Sequence, residues 1–297
     1  VSAVEDGTVT TRLGDVIELE ETHDLVDPVV IAAFEGWNDA ADAATGVIDH
    51  LIDVWNARVI GAIDPEDFYD FQVNRPRVGT DEQGHRTITW PTTRIAIASP
   101  PDLGRDVILI RGIEPSMRWR QFCAELLAAI DDLGGQLIVT LGALLADTPH
   151  TRPIPVNGSA TEPELLDRLE LEQPTYEGPT GIVGIFQETC GMLDLPSVSY
   201  WAAVPHYVAQ PPCPKATLAL VGQLEELLDH AIPLGDLPDD ARAWERGVDE
   251  LAEEDEDIAD YVRSLEETRD TTDLPEASGE AIAREFERYL KRRGDES

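Results

Sequence analysis

At 297 residues, 42% of them apolar, the chain is long enough for one large domain or two ordinary ones around a substantial core. Its 59 acids against 22 bases leave a formal net charge of −37, a surface that repels nucleic acid and anionic membranes and suits basic partners or a high-salt medium. The longest apolar run, Leu137 to Ala146, falls short of the roughly 18 residues of a membrane span, and the acidic N-terminus has no signal-peptide pattern, so a cytoplasmic protein is expected.

Residues 1–15 carry no pattern, and Val16 to Leu19 reads as a short edge strand. Val29 to Phe34 is a β-rich apolar run that stops at Glu35-Gly36, and an alanine-rich helix follows to about Trp55, with Val47, Ile48, Leu51 and Ile52 on one face. Gly36 offers the backbone freedom the turn needs, and Asn38 or Asp39 offers an acceptor to the free N–H groups of the first helical turn. Arg58 to Ile63 is the next strand, and the order strand, helix, strand predicts a parallel pair joined by a right-handed crossover. The four carboxylates between Asp64 and Asp70 match no calcium-loop spacing, so the Asp64–Pro76 segment is expected to be a solvated loop with no metal. Arg86–Trp90 and Arg94–Ala98 alternate about Pro91 and predict a β-hairpin. Val107–Ile110 is a third buried strand, and the helix after it shows Trp119, Phe122, Leu126, Leu127 and Ile130 on one face before Gly134-Gly135. Leu137–Leu141 is a fourth strand, and such continuous apolar runs mark a sheet covered by helices on both faces.

The passage Ala146–Ser159 holds three prolines and is expected to be irregular. His150 and Arg152 stand on it just past a central strand end, where α/β folds place their sites. With Asn157 and His206 they form the candidate pocket. Thr161-Glu162-Pro163-Glu164 has the form of a capping box for a helix to about Leu171. Gly181–Phe186 reads as a fifth strand with a short helix after it to Leu193, and Ser197–Trp201 as a sixth. A helix with Leu220, Val221, Leu224 and Leu228 follows Pro214. Beyond Pro233 the chain turns strongly acidic, yet Trp244, Val248, Leu251, Ile258, Val262 and Leu265 fall at heptad-like spacing with Asp255 in the seam. That predicts one amphipathic helix or a broken pair, with a last short helix over Ala281–Leu290. The expected organisation is an α/β domain over 1–235 and an acidic helical extension over 236–297, packed on the core or on a neighbouring subunit.

Phe34-Glu35-Gly36-Trp37-Asn38-Asp39-Ala40-Ala41 resembles the signature of the proteasome assembly chaperone 2 family. The likeness continues through Asp64-Pro65-Glu66-Asp67-Phe68-Tyr69-Asp70-Phe71 with Asn74-Arg75-Pro76, then Pro149-His150-Thr151-Arg152-Pro153, Gly178-Pro179-Thr180-Gly181-Ile182, and Trp201-Ala202-Ala203-Val204-Pro205-His206-Tyr207-Val208. These blocks cover roughly residues 15–232 in family order and look most like the actinobacterial branch. The resemblance implies a three-layer α/β/α sandwich of the phosphorylase/hydrolase-like kind with a mostly parallel sheet. It also implies self-assembly, with a trimer the first expectation, and proteasome subunits or another protein as partner. It marks Glu35, Gly36, Trp37, Asn38 and Asp39 as a family-motif or interface element. Proteasome-docking tails often end in hydrophobic–tyrosine–any residue; Tyr289 is not penultimate here, so docking by such a tail is not expected.

Catalysis is the weaker reading. There is no GxGxxG, no phosphate loop and no GxSxG elbow, and Glu35, Asp39 and Asp42 at the first helix start would repel an anion. Three widely spaced cysteines, Cys123, Cys190 and Cys213, fit neither a disulfide framework nor a zinc pattern and are expected to be buried thiols. The function expected is therefore a non-catalytic, homo-oligomeric assembly or interaction protein with no cofactor. The alternative is a phosphorylase- or hydrolase-like enzyme acting on a small nucleoside-like or amide substrate near His150, Arg152 and His206.

Overall fold

Six successive residues, Val29 to Phe34, are each wholly buried, and they form strand β2 (Val29–Glu35) in the middle of an eight-stranded sheet. The computed structural model describes residues 17–273 apart from 21, 82, 172, 174 and 175. The other strands of that sheet are β1 (Ile17–Leu19), β3 (Arg58–Ile63), β6 (Arg94–Ala98), β7 (Val107–Ile113), β8 (Leu137–Ala146), β9 (Val156–Ala160) and β10 (Ser197–Pro205). A separate two-stranded ribbon pairs β4 (Arg77–Thr80) with β5 (Arg86–Thr89). The helices are α1 (Ala43–Val54), α2 (Trp119–Asp132), α3 (Pro163–Leu169), α4 (Ile182–Met192), α5 (Pro214–Leu228), α6 (Leu237–Glu254) and α7 (Glu256–Asp273). A sheet flanked by helices is the three-layer α/β/α class expected.

The strand order is β1-β3-β6-β7-β2-β8-β10-β9. The sheet is mixed rather than mostly parallel: β2 runs parallel to β7 and to β8, whereas β1, β3 and β6 join β7 through antiparallel pairings. The predicted parallel pairing of β2 with β3 does not form, because β6 and β7 lie between them, although β3 runs in the direction of β2. In β3 only Ile60 and Ile63 are buried and Val59 is exposed, as suits a strand toward the sheet edge. The predicted hairpin about Pro91 is absent as well. β5 pairs antiparallel with β4, and β6 enters the main sheet between β3 and β7, so each finds its partner elsewhere than across Pro91.

Two further readings change. Gly181–Phe186 is helix, not strand, since α4 starts at Ile182; a six-residue apolar run fits either period until tertiary contacts decide. The irregular passage contains strand β9, held to β10 by Thr161 N–H to Ser197 O (3.1 Å) and Ala203 N–H to Pro155 O (2.9 Å). Helix α3 forms without the capping box: Glu162 is the N-cap with no side-chain bond, and the Thr161 hydroxyl bonds Ser197 instead. The acidic region is the broken pair, α6 and α7, interrupted at Asp255 in extended conformation. The Ala281–Leu290 helix lies outside the described residues.

The chain divides into two compact units. The first takes the described residues to Asp39, then Ala44–Gly142 and Gly158–Tyr200; the second takes Ala40–Ala43, Ala143–Asn157 and the described residues from Trp201. In the first, edge-to-face ring pairs join Phe34 to Phe122 (5.9 Å) and Phe186 (6.4 Å), and Phe122 to Phe68 (5.4 Å), tying β2 to α2 and α4. In the second, α5 packs beside α6 and α6 beside α7, with Leu220, Leu224, Val248, Val262 and Leu265 buried. Thr217 Oγ1 donates to Ala43 O at 3.0 Å and Cys213 N–H to Ala41 O at 3.0 Å, seating the start of α5. No described helix is long and apolar enough to cross a membrane.

Candidate functional site

The family-motif turn, in the first unit, is built from strand ends and helix starts. Gly36 has φ 119°, a conformation open to glycine, with Glu114 Cβ 3.3 Å from where its own Cβ would stand. Asn38 is wholly buried, and its Nδ2 donates to Glu114 Oε1 at 2.8 Å. The same oxygen accepts the Ile182 N–H at 2.9 Å, so one carboxylate holds the turn and satisfies the first free donor of α4. Gly181 must lack a side chain here, since a Cβ would lie 2.1 Å from Asn38 Oδ1. Asp39 performs the capping that either it or Asn38 was expected to perform: Oδ1 accepts Ala44 N–H at 2.7 Å and Oδ2 accepts Thr45 N–H at 3.2 Å. Glu35 accepts from Arg111 Nη1 at 2.6 Å, and Arg111 Nε donates to Asp49 at 2.5 Å. Burial works against that guanidinium's charge, but the bonds to Asp49 and Glu35 outweigh it and raise its pKa. Trp37 alone of the five makes no anchor for the turn; its side chain is 66% exposed.

The candidate pocket residues lie in the second unit, and three of the four come together there. His150 is wholly buried; Tyr207 Oη bonds its Nδ1 and accepts its backbone N–H, both at 2.7 Å, while Asp249 Oδ1 accepts from Nε2 at 3.0 Å. Both ring nitrogens are therefore engaged within the protein. Arg152 forms a two-pronged fork on Asp270, Nε to Oδ1 at 2.9 Å and Nη2 to Oδ2 at 2.8 Å, and Nη1 reaches Glu266 at 3.2 Å. The bond from Asp270 raises the Arg152 pKa, and the same bond lowers that of Asp270. His206 Nδ1 stands 3.3 Å from Asp147, which also accepts from Tyr261 Oη at 3.1 Å. Burial pushes the Tyr207 hydroxyl up to about 12. Asn157, on β9, is exposed and stands apart from this cluster.

The residues that the sequence reading missed are the acids facing these cations. Asp249 and Glu245 are one turn apart on α6 and meet His150 and Lys215 (3.0 Å); Glu266 and Asp270 are one turn apart on α7 and meet Arg152. Two acids at i, i+4 present one negative face of a helix, but the same spacing recurs at Glu250 with Glu254 and Glu256 with Asp260, so spacing alone did not mark them. Among the described residues, no three His, Cys, Asp or Glu side chains are grouped to hold a metal ion. Burial pushes Cys123 and Cys213 up to about 11 and Cys190 up to about 12.

A family model described as the PAC2 family matches residues 33–252. A PAC2 family protein of Streptomyces avermitilis is 59% identical, with a TM-score of 0.75, over 80% of this chain and 100% of that one. A proteasome-assembly chaperone homologue of Mycobacterium tuberculosis is 52% identical, with a TM-score of 0.72, over 79% of this chain and 99% of that one. A protein of unknown function from the same organism shares the fold at 24% identity, with a TM-score of 0.78, over 91% and 92% of the two chains. A search of curated protein sequences gives no match.

Proposed function

The chain belongs to the PAC2 family, and from that premise we propose that it is a non-catalytic assembly chaperone of the cytoplasm, acting as a homo-oligomer on a protein partner. Proteasome subunits are the partner proposed, because the Mycobacterium tuberculosis relative at 52% identity is described as a proteasome-assembly chaperone homologue. The observation that carries the reading is Trp37. A large indole, 66% exposed, is held on a turn whose neighbours Asn38 and Asp39 are buried and bonded. Exposing it in water gains nothing for the lone chain, whereas a rigidly presented Trp is the usual centre of a protein interface. The candidate pocket supports the same reading, since His150 and Arg152 are already bonded to acids of α6 and α7. On this reading residues 236–297 are an acidic extension of the family domain.

The experiment is light scattering coupled to size-exclusion chromatography, with a pull-down on the proteasome α-subunits of the source organism. The full chain is expected at three times its monomer mass, and Trp37→Ala is expected to dissociate it or to lose the α-subunits. A monomer at every concentration, recovering no α-subunit, would defeat the proposal.

A further inference from the structure

Acids outnumber bases 59 to 22 in this chain, so a base without an acid partner needs a reason. In the first unit a cleft of about 350 Å³ is lined by Arg75, Arg77, Arg94 and Arg111, with Glu35, Thr92 and Trp90 among its other walls. Arg111 is neutralised there by Glu35 and Asp49. The other three arginines have no ion-pair partner among the described residues; Arg86, Arg120, Arg168 and Arg246 also have none, but Arg75, Arg77 and Arg94 gather at one cleft. The sheet register adds a second anomaly. Arg94 on β6 is the direct cross-strand partner of Arg111 on β7, so two cations stand side by side on one face. Like charges placed directly opposite one another in a ladder are destabilising. Arg77 is brought to the same cleft by the β4–β5 ribbon, where its cross-strand partner is Thr89.

We propose that this cleft binds a small polyanion, a molecule carrying two or more phosphate or carboxylate groups, through Arg75, Arg77 and Arg94. The guanidinium fork matches the oxygens of either group in a bidentate fashion, and Thr92 supplies a hydroxyl beside it. The volume lies near the lower end of small-molecule sites, so it takes a compact ligand rather than a folded partner. An anion bridging Arg94 to Arg75 or Arg77 would also give Arg94 the counter-charge that Glu35 and Asp49 give Arg111. The Trp90 ring, 5.0 Å from Phe71 between centroids, closes one side with an aromatic wall. At 0.15 M salt the screening length is about 8 Å, so the net negative charge of the rest of the chain is largely hidden from an ion held in the cleft. This proposal stands apart from the chaperone reading, and neither needs the other.

The test is a calorimetric titration of the full chain with pyrophosphate and with citrate, at ionic strength held constant with sodium chloride. Saturable binding of either probe is expected, and the tighter of the two identifies a phosphate-bearing or a carboxylate-bearing ligand. Arg75→Gln and Arg94→Gln are each expected to weaken that binding by about ten-fold, the loss of one charge-assisted hydrogen bond. Arg86→Gln, on the same ribbon but outside the cleft lining, is expected to bind as the parent does. These side chains are exposed, and the melting temperature without ligand checks that each variant folds. Binding of neither probe beyond the chloride control would overturn the proposal, as would equal losses in Arg86→Gln and Arg94→Gln. A response to an oligoglutamate peptide and to neither small anion would overturn it in favour of a protein ligand.

Discussion

Replacing Glu114 by alanine tests how the family-motif turn is held. Its Oε1 accepts two hydrogen bonds, from Asn38 Nδ2 at 2.8 Å and from Ile182 N–H at 2.9 Å. Asn38 is wholly buried and its Oδ1 already has no partner, so Glu114→Ala leaves the whole amide unsatisfied. A buried polar group stripped of its partner costs about 1–3 kcal/mol, and loss of an acceptor at a helix N-terminus costs about 1 kcal/mol more. The sum, about 2–4 kcal/mol, corresponds to a fall of roughly 5–15 °C in the melting temperature at about 2–4 °C per kcal/mol. Glu114→Gln keeps an acceptor oxygen and forfeits only the charge at the α4 dipole, about 0.3–1 kcal/mol. The assay is thermal unfolding followed by tryptophan fluorescence, with urea midpoints alongside. A double-mutant cycle with Asn38→Ala is expected to be less than additive, because both substitutions remove one shared bond. An alanine variant that melts within about 2 °C of the parent, or a glutamine variant as damaged as the alanine one, refutes the account.

The seating of α7 is pH-dependent. Its Asp270 carboxyl is held below the usual range by the bond from Arg152, so the folded pKa lies under the unfolded one. A depressed acid contributes its stability in full above the unfolded value, about 4, and loses it as pH falls through the folded value. Amide exchange in α7 is therefore expected to speed up relative to α5 as pH is lowered below about 4, and Arg152→Ala is expected to produce faster α7 exchange already at pH 7; unchanged α7 protection in that variant would count against the pairing. The three thiols are wholly buried, with pKa values pushed up to about 11 (Cys123, Cys213) and about 12 (Cys190). Iodoacetamide at pH 8 is expected to label none of them in the folded chain and all three in urea, as mass spectrometry would report. Stoichiometric labelling of Cys190 in the folded state would contradict its burial.

Local chemistry made most elements legible, and long-range pairing did not. The β2–α1 unit reads directly because a buried run, a glycine and a capping Asp39 agree with one another. The broken α6–α7 pair follows from heptad-like apolar positions with Asp255 in their seam. Register is different, since it depends on which strands find each other. Nothing local to Arg58–Ile63 says that β6 and β7 will lie between it and β2. Gly181–Phe186 shows the same limit, because its helix start is stabilised by a carboxylate 68 residues earlier in the chain.

Side-chain chemistry in the candidate pocket was legible only on its cationic half. His150, Arg152 and His206 stand out in so acidic a chain, and three of the four residues chosen do come together in the second unit. Their partners are spread through 59 acids, where a single Asp249 or Asp270 carries no mark of its own. Glu245 with Asp249, and Glu266 with Asp270, each repeat at one helical turn, but so do Glu250 with Glu254 and Glu256 with Asp260 on the same helices, and the packing of α6 and α7, not the spacing, decides which pairs meet the cations. The Arg94–Arg111 pair in the first unit is the converse case. Neither residue is unusual in sequence, and only the antiparallel register of β6 on β7 sets them opposite each other. Arg111 is paired with Glu35 and Asp49, whereas Arg94 beside it has no acid partner among the described residues. Arg75, Arg77 and Arg94 gather unpaired at one cleft, while Arg152 is doubly paired and fastens a helix, and it is that gathering, not the lack of a partner alone, on which the proposed anion site rests.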